Sequence, residues 1–341
     1  MGKDVFENAI VDTNILIVRH SPSDATGKAV DMDRLSDKSF PPAEPLWGDL
    51  RPQGEKPWSA LSAIEQRIMD KMEAVGTPLK EWDIAIYRGV LTGYNDAFVI
   101  DNDTKEALIA EDSRSADIIK PVLRGRDIQR YRAEWTKLWL IATFPALALN
   151  IDDYPAVRRH LLSFGKTRLE QSGRILPNGT KSRKKTVHAW YELQDTCAYH
   201  EVFSEEKLIW MDLTEQGRFS YDTDGMFCLN TAFVMSGQSV KYLCTLLNSK
   251  LITWFMSNTA LNSGMGVTRW INASVSTIPI PKIPAAQQRP FIRLVDRILT
   301  AKATDPNADV SAIEAEIDLQ VCELYELMAA EAAAVKKKSL P

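Results

Sequence analysis

Apolar residues recur along much of the chain at the spacing of helices. This period predicts helices over residues 59–75, 153–163 and 240–256. Near the C-terminus it predicts two more, over residues 290–301 and 310–328, joined by a connection short enough to favour an antiparallel pair. The C-terminal part of the chain is therefore expected to be a two-helix arm.

Shorter apolar runs, typical of strands, lie between these helices. The predicted strands cover residues 5–18, 135–142, 207–213 and 225–235. Two further runs flank a glycine-containing stretch, so residues 84–101 are predicted to form a hairpin. Strands interleaved with helices in this way indicate an α/β (α+β) fold.

Composition divides the chain into segments. Residues 21–57 are rich in proline, aspartate, serine and glycine, with little periodicity, and are predicted to be a linker. Residues 58–284 are expected to be one domain. The proline-rich run at its end must be extended, because each proline excludes the preceding residue from the helical region. Beyond it we expect a helical spacer or docking arm over residues 285–332 and a disordered tail over 333–341.

The overall composition is that of an ordinary globular protein, with 45% hydrophobic and 25% charged residues. No apolar run reaches the roughly 18 residues that a membrane helix needs. Acidic residues interrupt the first apolar stretch, which excludes a signal peptide. The four cysteines are scattered without a Cys-x-x-Cys pair, so we expect neither disulfides nor a cysteine zinc site, as suits a reducing cytoplasm.

The net charge of −4 conceals two basic segments. Residues 156–190 contain nine lysines and arginines against one acid, and residues 120–132 contain five against one. Bases concentrated in this way either form a surface for a polyanion or keep a loop solvated. Residues 166–190 are predicted to be a long exposed loop, and loops of that length tend to be functional or disordered.

One glycine-containing stretch, GVLTGYNDAFVID from Gly89 to Asp101, offers polar groups on a tight backbone. Gly89 and Gly93 permit conformations and close approaches that a Cβ would block. Thr92, Asn95 and the free amides of the turn can donate hydrogen bonds to a phosphate or a base edge. From the residues alone, a plain hairpin loop and a ligand-binding turn both remain open.

No complete catalytic constellation is visible in the sequence. Adenine methyltransferases need an Asn-Pro-Pro-Tyr type of loop, and the chain has no Asn-Pro dipeptide. Asp195, Glu205 and Lys207 mimic a nuclease arrangement in which acids hold a divalent cation and a lysine stabilises developing charge. Lys207 also begins an apolar strand, which explains it equally well, and the four histidines lack metal-ligand spacing. A metal-dependent nuclease is kept as an alternative.

Several blocks follow one another in a characteristic order. They are TG-x-N-x-AF-x-ID at residues 92–101, IIKPVLRGRDIQRY at 118–131, WYELQDTCAY at 190–199, KLIWMDL at 207–213, LLNSKLITWF at 246–255, IPIPKIP at 278–284 and EIDLQVCELYEL at 316–327. Together they resemble the TaqI-like specificity domain of type IIG restriction-modification enzymes and DNA adenine-N6 methyltransferases. FENAIVDTNILIV looks like the end of the methyltransferase domain that precedes it, so residues 1–20 are expected to be a remnant of that domain.

The resemblance implies a mixed-sheet target recognition domain that binds double-stranded DNA. The catalytic half of such enzymes would not be contained in this chain. Its basic segments would neutralise phosphates, and residues on its loops would read base edges in the major groove. The expected DNA-binding residues are Thr92, Asn95, Arg124, Arg126, Arg168, Lys181, Arg183, Lys184, Lys185 and Arg269. This chain would need no cofactor, whereas the methyltransferase/nuclease domain of the parent enzyme would use S-adenosylmethionine and Mg²⁺ to modify or cleave the target. The nuclease above and a protein-interaction module with an acidic partner remain alternatives.

Overall fold

The computed structural model describes residues 61–260 and 267–338, together with two short strands further upstream. Those strands, β1 (Gly27–Ala29) and β2 (Gly48–Leu50), pair in antiparallel fashion. The methyltransferase remnant expected over residues 1–20, with its strand, and most of the predicted linker lie outside the described residues. The description below therefore concerns the predicted recognition domain and the helices that follow it.

Helices make up much of this region. They are α1 (Ala63–Val75), α2 (Asn95–Phe98), α3 (Asn102–Glu111), α4 (Ser115–Ile118), α5 (Pro155–Ser163), α6 (Lys166–Leu169), α7 (Val240–Leu247), α8 (Lys250–Thr259), α9 (Asn272–Val275), α10 (Ala285–Thr304), α11 (Ser311–Leu324) and α12 (Ala329–Lys338). The start of α1 is fixed by a capping box, in which the Glu65 carboxylate accepts a 2.8 Å hydrogen bond from the Ser62 amide. Among the described helices, none combines the length and the apolarity needed to cross a bilayer.

The strands form a mixed set of sheets, as predicted for the fold class. They are β3 (Thr77–Pro78), β4 (Ile84–Arg88), β5 (Val99–Ile100), β6 (Ile119–Leu123), β7 (Trp139–Ile141), β8 (Lys207–Met211), β9 (Phe219–Asp222), β10 (Phe227–Cys228), β11 (Ala232–Gly237) and β12 (Pro279–Ile280). An antiparallel sheet has the order β4-β11-β8-β9, and a second sheet has the order β10-β6-β7-β5 with β10 parallel to β6. β12 and β3 form a separate pair.

The β4-β11-β8-β9 sheet is buried on both faces. Along β8, Leu208 and Trp210 point into one hydrophobic cluster, whereas Ile209 points into another. The same alternation on β11 sends Met235 to the first cluster and Val234 to the second, because successive side chains of a strand face opposite sides. The first cluster lies under the N- and C-terminal helices, and the second lies against the β10-β6-β7-β5 sheet and α2 to α6.

The C-terminal helices are part of this core. Phe291 and Val295 on α10 and Val321 on α11 are buried in the same cluster as Trp210 of the central sheet. The boundary predicted between residues 284 and 285 therefore does not divide the hydrophobic core. The proline-rich run that was predicted to be extended contains a strand, β12, which pairs back onto β3.

The disordered tail predicted over residues 333–341 is instead helical as far as Lys338. The side chain of Glu331 on α12 is fully buried and accepts hydrogen bonds from Lys71 on α1 and from the Met328 amide, both at 2.8 Å. Val335, one turn further on, is also buried. These contacts, which a local reading of the alanine- and lysine-rich sequence does not show, fasten the last helix to the first.

The predicted hairpin over residues 84–101 does not form. β4 pairs with β11, and β5 pairs with β7 in the other sheet, so the glycine-containing stretch crosses between two sheets. The strand predicted over residues 225–235 is likewise two strands, β10 and β11, one in each sheet. Both errors have one cause: local periodicity identifies extended segments but carries no information about which segments pair.

The single helix predicted over residues 240–256 is broken into α7 and α8. Asn248 ends α7 because its side chain bonds to the backbone of Phe219. Nδ2 of Asn248 donates to the Phe219 carbonyl at 2.8 Å, and Oδ1 of Asn248 accepts from the Phe219 amide at 3.0 Å. Ser249 then caps α8 by accepting from the Ile252 amide. α11 also ends earlier than predicted, at Leu324.

Candidate nucleic-acid interface

The turn that follows β4, residues 92–95, is packed into the protein. Thr92 is only 1% exposed, and its hydroxyl donates to the Asn95 side chain at 2.6 Å and accepts from the Tyr94 amide at 3.1 Å. Gly93 has a φ of +79°, and a Cβ there would lie 2.7 Å from Oε1 of Gln194. Thr92 and Asn95 were both predicted to contact DNA. Of the two, Asn95 is exposed, whereas Thr92 is buried and stabilises the turn.

Arg183 holds this turn against the long basic loop. Its guanidinium is 2% exposed and donates four hydrogen bonds to backbone carbonyls of three separate segments. The acceptors are Leu169 at 2.7 Å, Thr92 at 3.0 Å, Glu192 at 2.7 Å and Trp190 at 2.6 Å. Burial lowers the pKa of Arg183 to about 10, which leaves it a cation at neutral pH. Arg183 was predicted to contact DNA, and the structure makes it a buried structural residue with its donors already engaged.

The residues that lead up to Arg183 form a small antiparallel ribbon. We call residues 173–183 the basic ribbon. The Gly173 amide donates to the Arg183 carbonyl at 2.9 Å, the Ser182 amide to the Arg174 carbonyl at 2.9 Å, and Ile175 pairs with Lys181. The exposed loop predicted for residues 166–190 is therefore an ordered ribbon with a buried base.

The tip of the basic ribbon is a tight turn. The Asn178 side chain accepts from both the amide of Thr180 at 3.1 Å and its hydroxyl at 2.8 Å, and Gly179 has a φ of +79°. An asparagine that bonds the backbone two residues on, followed by a glycine with positive φ, is a stable way to reverse a ribbon. The ribbon is thus closed at its tip as well as at its base.

Arg168 joins the ribbon to the turn. Its guanidinium lies 4.4 Å from the centre of the Tyr94 ring and donates to the carbonyl of Lys181. Lys181, Lys184 and Lys185 are exposed on the same loop. The structure therefore brings together predicted residues from the 92–95 turn and from the basic loop, some 70 to 90 positions apart in the chain, into one surface.

A second basic group lies at the end of β4. Arg88 is exposed, and its Nε donates to the carbonyl of Asn230 at 2.8 Å. Arg269 forms an antiparallel β-bridge with Leu213. The positive charges of Arg88 and Arg269 both favour the ionised form of the Asp212 carboxyl. Burial raises the pKa of Asp212, although the two positive charges oppose that shift.

The remaining predicted residues lie after β6. Arg124 is engaged by Asp127, with Nη2 to Oδ1 at 2.8 Å and Nε to Oδ2 at 2.9 Å, and this ion pair raises the pKa of Arg124. Arg126 is exposed. Nη2 of Arg124 also donates to the Thr136 hydroxyl at 3.0 Å, so three of its five donors are engaged. Arg126 is therefore the better placed of the two for an external ligand.

Two residues of this surface were missed from the sequence. Tyr94 stands between the predicted Thr92 and Asn95, and its position inside that motif was a signal that could have found it. Arg88 ends an apolar strand and carries no such signal, because only the pairing of β4 with β11 brings it beside Asp212.

The predicted nuclease residues do not form a metal site. Lys207 is fully buried, and its Nζ lies 2.5 Å from Oδ2 of Asp222 and 2.6 Å from the carbonyl of Phe203. The Asp195 carboxylate instead accepts from the hydroxyl of Tyr199 at 2.9 Å. Within residues 61–260 and 267–338, no three histidine, cysteine or acidic side chains converge as a metal site requires. The structure thus gives Lys207 a structural ion pair.

Residues 120–280 match the family described as the TaqI-like C-terminal specificity domain. This part of the chain is therefore similar to a TaqI-like specificity domain. The matched residues contain the basic ribbon, Arg124, Arg126 and Arg269, whereas the 92–95 turn lies upstream of them. No curated protein sequence matches the chain.

Two solved structures are similar to it. The type IIL restriction-modification enzyme MmeI in complex with DNA superimposes with a TM-score of 0.52 at 14% sequence identity, over 77% of this chain and 36% of that enzyme. The type IIG restriction endonuclease BpuSI matches with a TM-score of 0.44 at 15% identity, over 79% of this chain and 33% of that enzyme. The chain thus spans about a third of the length of either enzyme, and its likeness to MmeI is a likeness of fold.

Proposed function

We propose that this chain is a DNA target-recognition module, which binds a short duplex sequence and presents an adenine in it to a catalytic domain of a restriction-modification enzyme. The observation that carries the proposal is the surface formed by the 92–95 turn, Arg168 and the basic ribbon. Arg168 and the basic ribbon lie within the residues that match the TaqI-like specificity domain, and the fold of the chain resembles that of MmeI, whose solved structure contains DNA.

The surface is suited to a polyanion. Residues 173–187 contain five lysines and arginines and no acidic residue, and Lys181, Lys184 and Lys185 extend into solvent. Exposed cations of this kind neutralise phosphates and release counterions, which supplies affinity without reading sequence. Reading falls to side chains that reach base edges, for which Asn95 and Arg126 are exposed candidates.

Methyl transfer and cleavage are assigned to a neighbouring domain. S-adenosylmethionine and Mg²⁺ would serve that domain, and the described residues offer no cluster of side chains suited to holding the metal. The part of this chain is to hold the duplex in a fixed register, because a catalytic domain can act on a flipped adenine only when the duplex is positioned. The helices α10 to α12 pack on the core of the recognition domain, and a docking role for their exposed face stays part of the proposal.

The test replaces Lys181, Lys184 and Lys185 with alanine and measures duplex binding between 50 and 200 mM salt. If each lysine neutralises one phosphate, the slope of log K against log salt concentration falls by about 3. The matched control is the double replacement of Arg289 and Arg293, which are exposed on α10 away from the ribbon segment. Equal slopes for wild type, triple variant and control would contradict the proposal.

A protein-interaction module with an acidic partner would use the same lysines. It is separated by sequence preference: a DNA module discriminates between duplexes by a factor of 10³ or more in typical cases, whereas a surface for an acidic protein does not. Selection from a random duplex pool measures this preference.

A further inference from the structure

The basic ribbon carries an apolar side chain in an unusual place. Ile175 is 70% exposed, although Arg174 before it and Lys181 across from it are basic and the ribbon itself is ordered by hydrogen bonds. A single exposed isoleucine needs no explanation by itself. Its position does call for one, because it pairs with Lys181 in the middle of an element that projects from the basic surface.

The dimensions of the ribbon suit one groove of DNA. Each arm, as in residues 173–176, spans about 10 Å at about 3.3 Å per residue, which exceeds the depth of about 8.5 Å of the major groove. Two paired strands lie about 4.8 Å apart and reach a width of about 10 Å with their side chains, so they fit a major groove about 12 Å wide but not a minor groove of about 6 Å.

The ribbon is also held in shape before any ligand arrives. Its base is fixed by Arg183 and by the side chain of Gln171. The Gln171 amide nitrogen donates to the Glu192 carbonyl at 3.0 Å, and the Gln171 amide oxygen accepts from the Thr186 hydroxyl at 2.8 Å. Its tip is closed by Asn178. An element that is already ordered loses little conformational entropy when it binds, which favours affinity.

We propose that the basic ribbon enters the major groove of the bound duplex and that Ile175 contacts a base there, with the methyl group of a thymine as its natural partner. Apolar side chains recognise thymine through that methyl group, which lies only in the major groove. The basic side chains of Arg174 and Lys181, which flank Ile175 in the ribbon, would then lie beside the phosphates at the groove edges. This inference rests on the proposed function and adds to it the element that enters the groove and a specificity-determining residue.

The experiment begins with a duplex selected from a random pool by the wild-type chain. Dimethyl sulfate methylates guanine N7 in the major groove and adenine N3 in the minor groove, so the protected atoms report which groove the protein occupies. Binding to the selected duplex and to a scrambled one is then measured for Ile175→Ala and for Leu319→Ala, a matched change at an apolar residue 57% exposed on α11.

We expect protection of guanine N7, and a loss of about fivefold to tenfold in affinity of Ile175→Ala for the selected duplex alone, corresponding to about 1 kcal/mol. Leu319→Ala should bind as wild type does. Protection confined to adenine N3, or equal binding by the two variants, would overturn the inference and leave the proposed function in place. If the wild-type chain selects no sequence, the proposed function itself fails, and the inference fails with it.

Discussion

Replacement of Arg183 by methionine is predicted to release the basic ribbon from the 92–95 turn. Methionine keeps much of the buried volume but removes every donor, so the carbonyls of Thr92, Leu169 and Trp190 lose their partner. The Glu192 carbonyl keeps its bond from the Gln171 side chain. A buried acceptor left unpaired costs about 1–3 kcal/mol, which gives about 6 kcal/mol for three at the midpoint. The variant also no longer pays the free-energy cost of burying a cation. The fall of the Arg183 pKa from 12.5 to about 10 corresponds to about 3 kcal/mol, which offsets part of that loss.

The net loss is therefore about 3 kcal/mol, a substantial part of the stability of a typical domain. It falls on a loop that can open by itself and rehydrate its carbonyls, so we expect local opening before global unfolding. Limited proteolysis with trypsin reports this directly, since Lys184 and Lys185 are adjacent cleavage sites. In Arg183→Met they should be cut far faster than in the wild type, while the melting temperature falls by less than the full loss implies.

The control is Arg174→Met, which makes the same chemical change at an exposed arginine of the same ribbon. It removes no buried hydrogen bond and should leave the cleavage rate at Lys184 unchanged. If Arg183→Met is as resistant to trypsin as Arg174→Met, then the guanidinium does not fasten the loop and the reasoning is refuted.

Three further predictions concern stability and chemistry. Burial lowers the pKa of His160, so the native state keeps the ring neutral and the free energy of unfolding should decline as the pH falls below about 6.5. The melting temperature of His160→Asn should depend less steeply on pH than that of the wild type, and equal slopes would contradict this. The Glu331 pKa is lowered because its hydrogen bonds outweigh the opposing effect of burial; Glu331→Gln should cost about 1–2 kcal/mol in urea denaturation at pH 7, and an unchanged midpoint would refute the role of that carboxylate in holding α12. Lys207→Met strands the carboxylate of Asp222 and should cost about 3–5 kcal/mol; magnesium-dependent cleavage of DNA by the wild type, abolished in this variant, would restore the nuclease alternative.

The parts of the fold that could be predicted are those with a strong local signal. α1 and α5 have a clear apolar period, and both helices end where predicted, at residues 75 and 163, although α1 begins four residues later than predicted. The ordered blocks of sequence indicated the specificity domain because they combine many weak local patterns into one specific order. Such signals need no knowledge of what each segment touches.

The parts that could not be predicted depend on distant partners. Arg183 lies in a run of exposed lysines, and its burial follows from carbonyls of Thr92 and Glu192 that the fold brings to it. The break at Asn248 depends on the backbone of Phe219, which lies 29 positions earlier. A count of charges or apolar positions treats each residue by its type, whereas these outcomes were decided by which atoms the fold places within hydrogen-bonding distance.

The central claim is sequence-specific recognition of DNA, and selection from a random duplex pool tests it most directly. The purified chain is exposed to the pool at low and at moderate salt, and the retained duplexes are sequenced. The account predicts enrichment of a short motif that contains an adenine and that survives the higher salt, since base contacts persist where phosphate contacts weaken. Binding that disappears with salt and enriches no sequence would contradict it and leave only a basic surface.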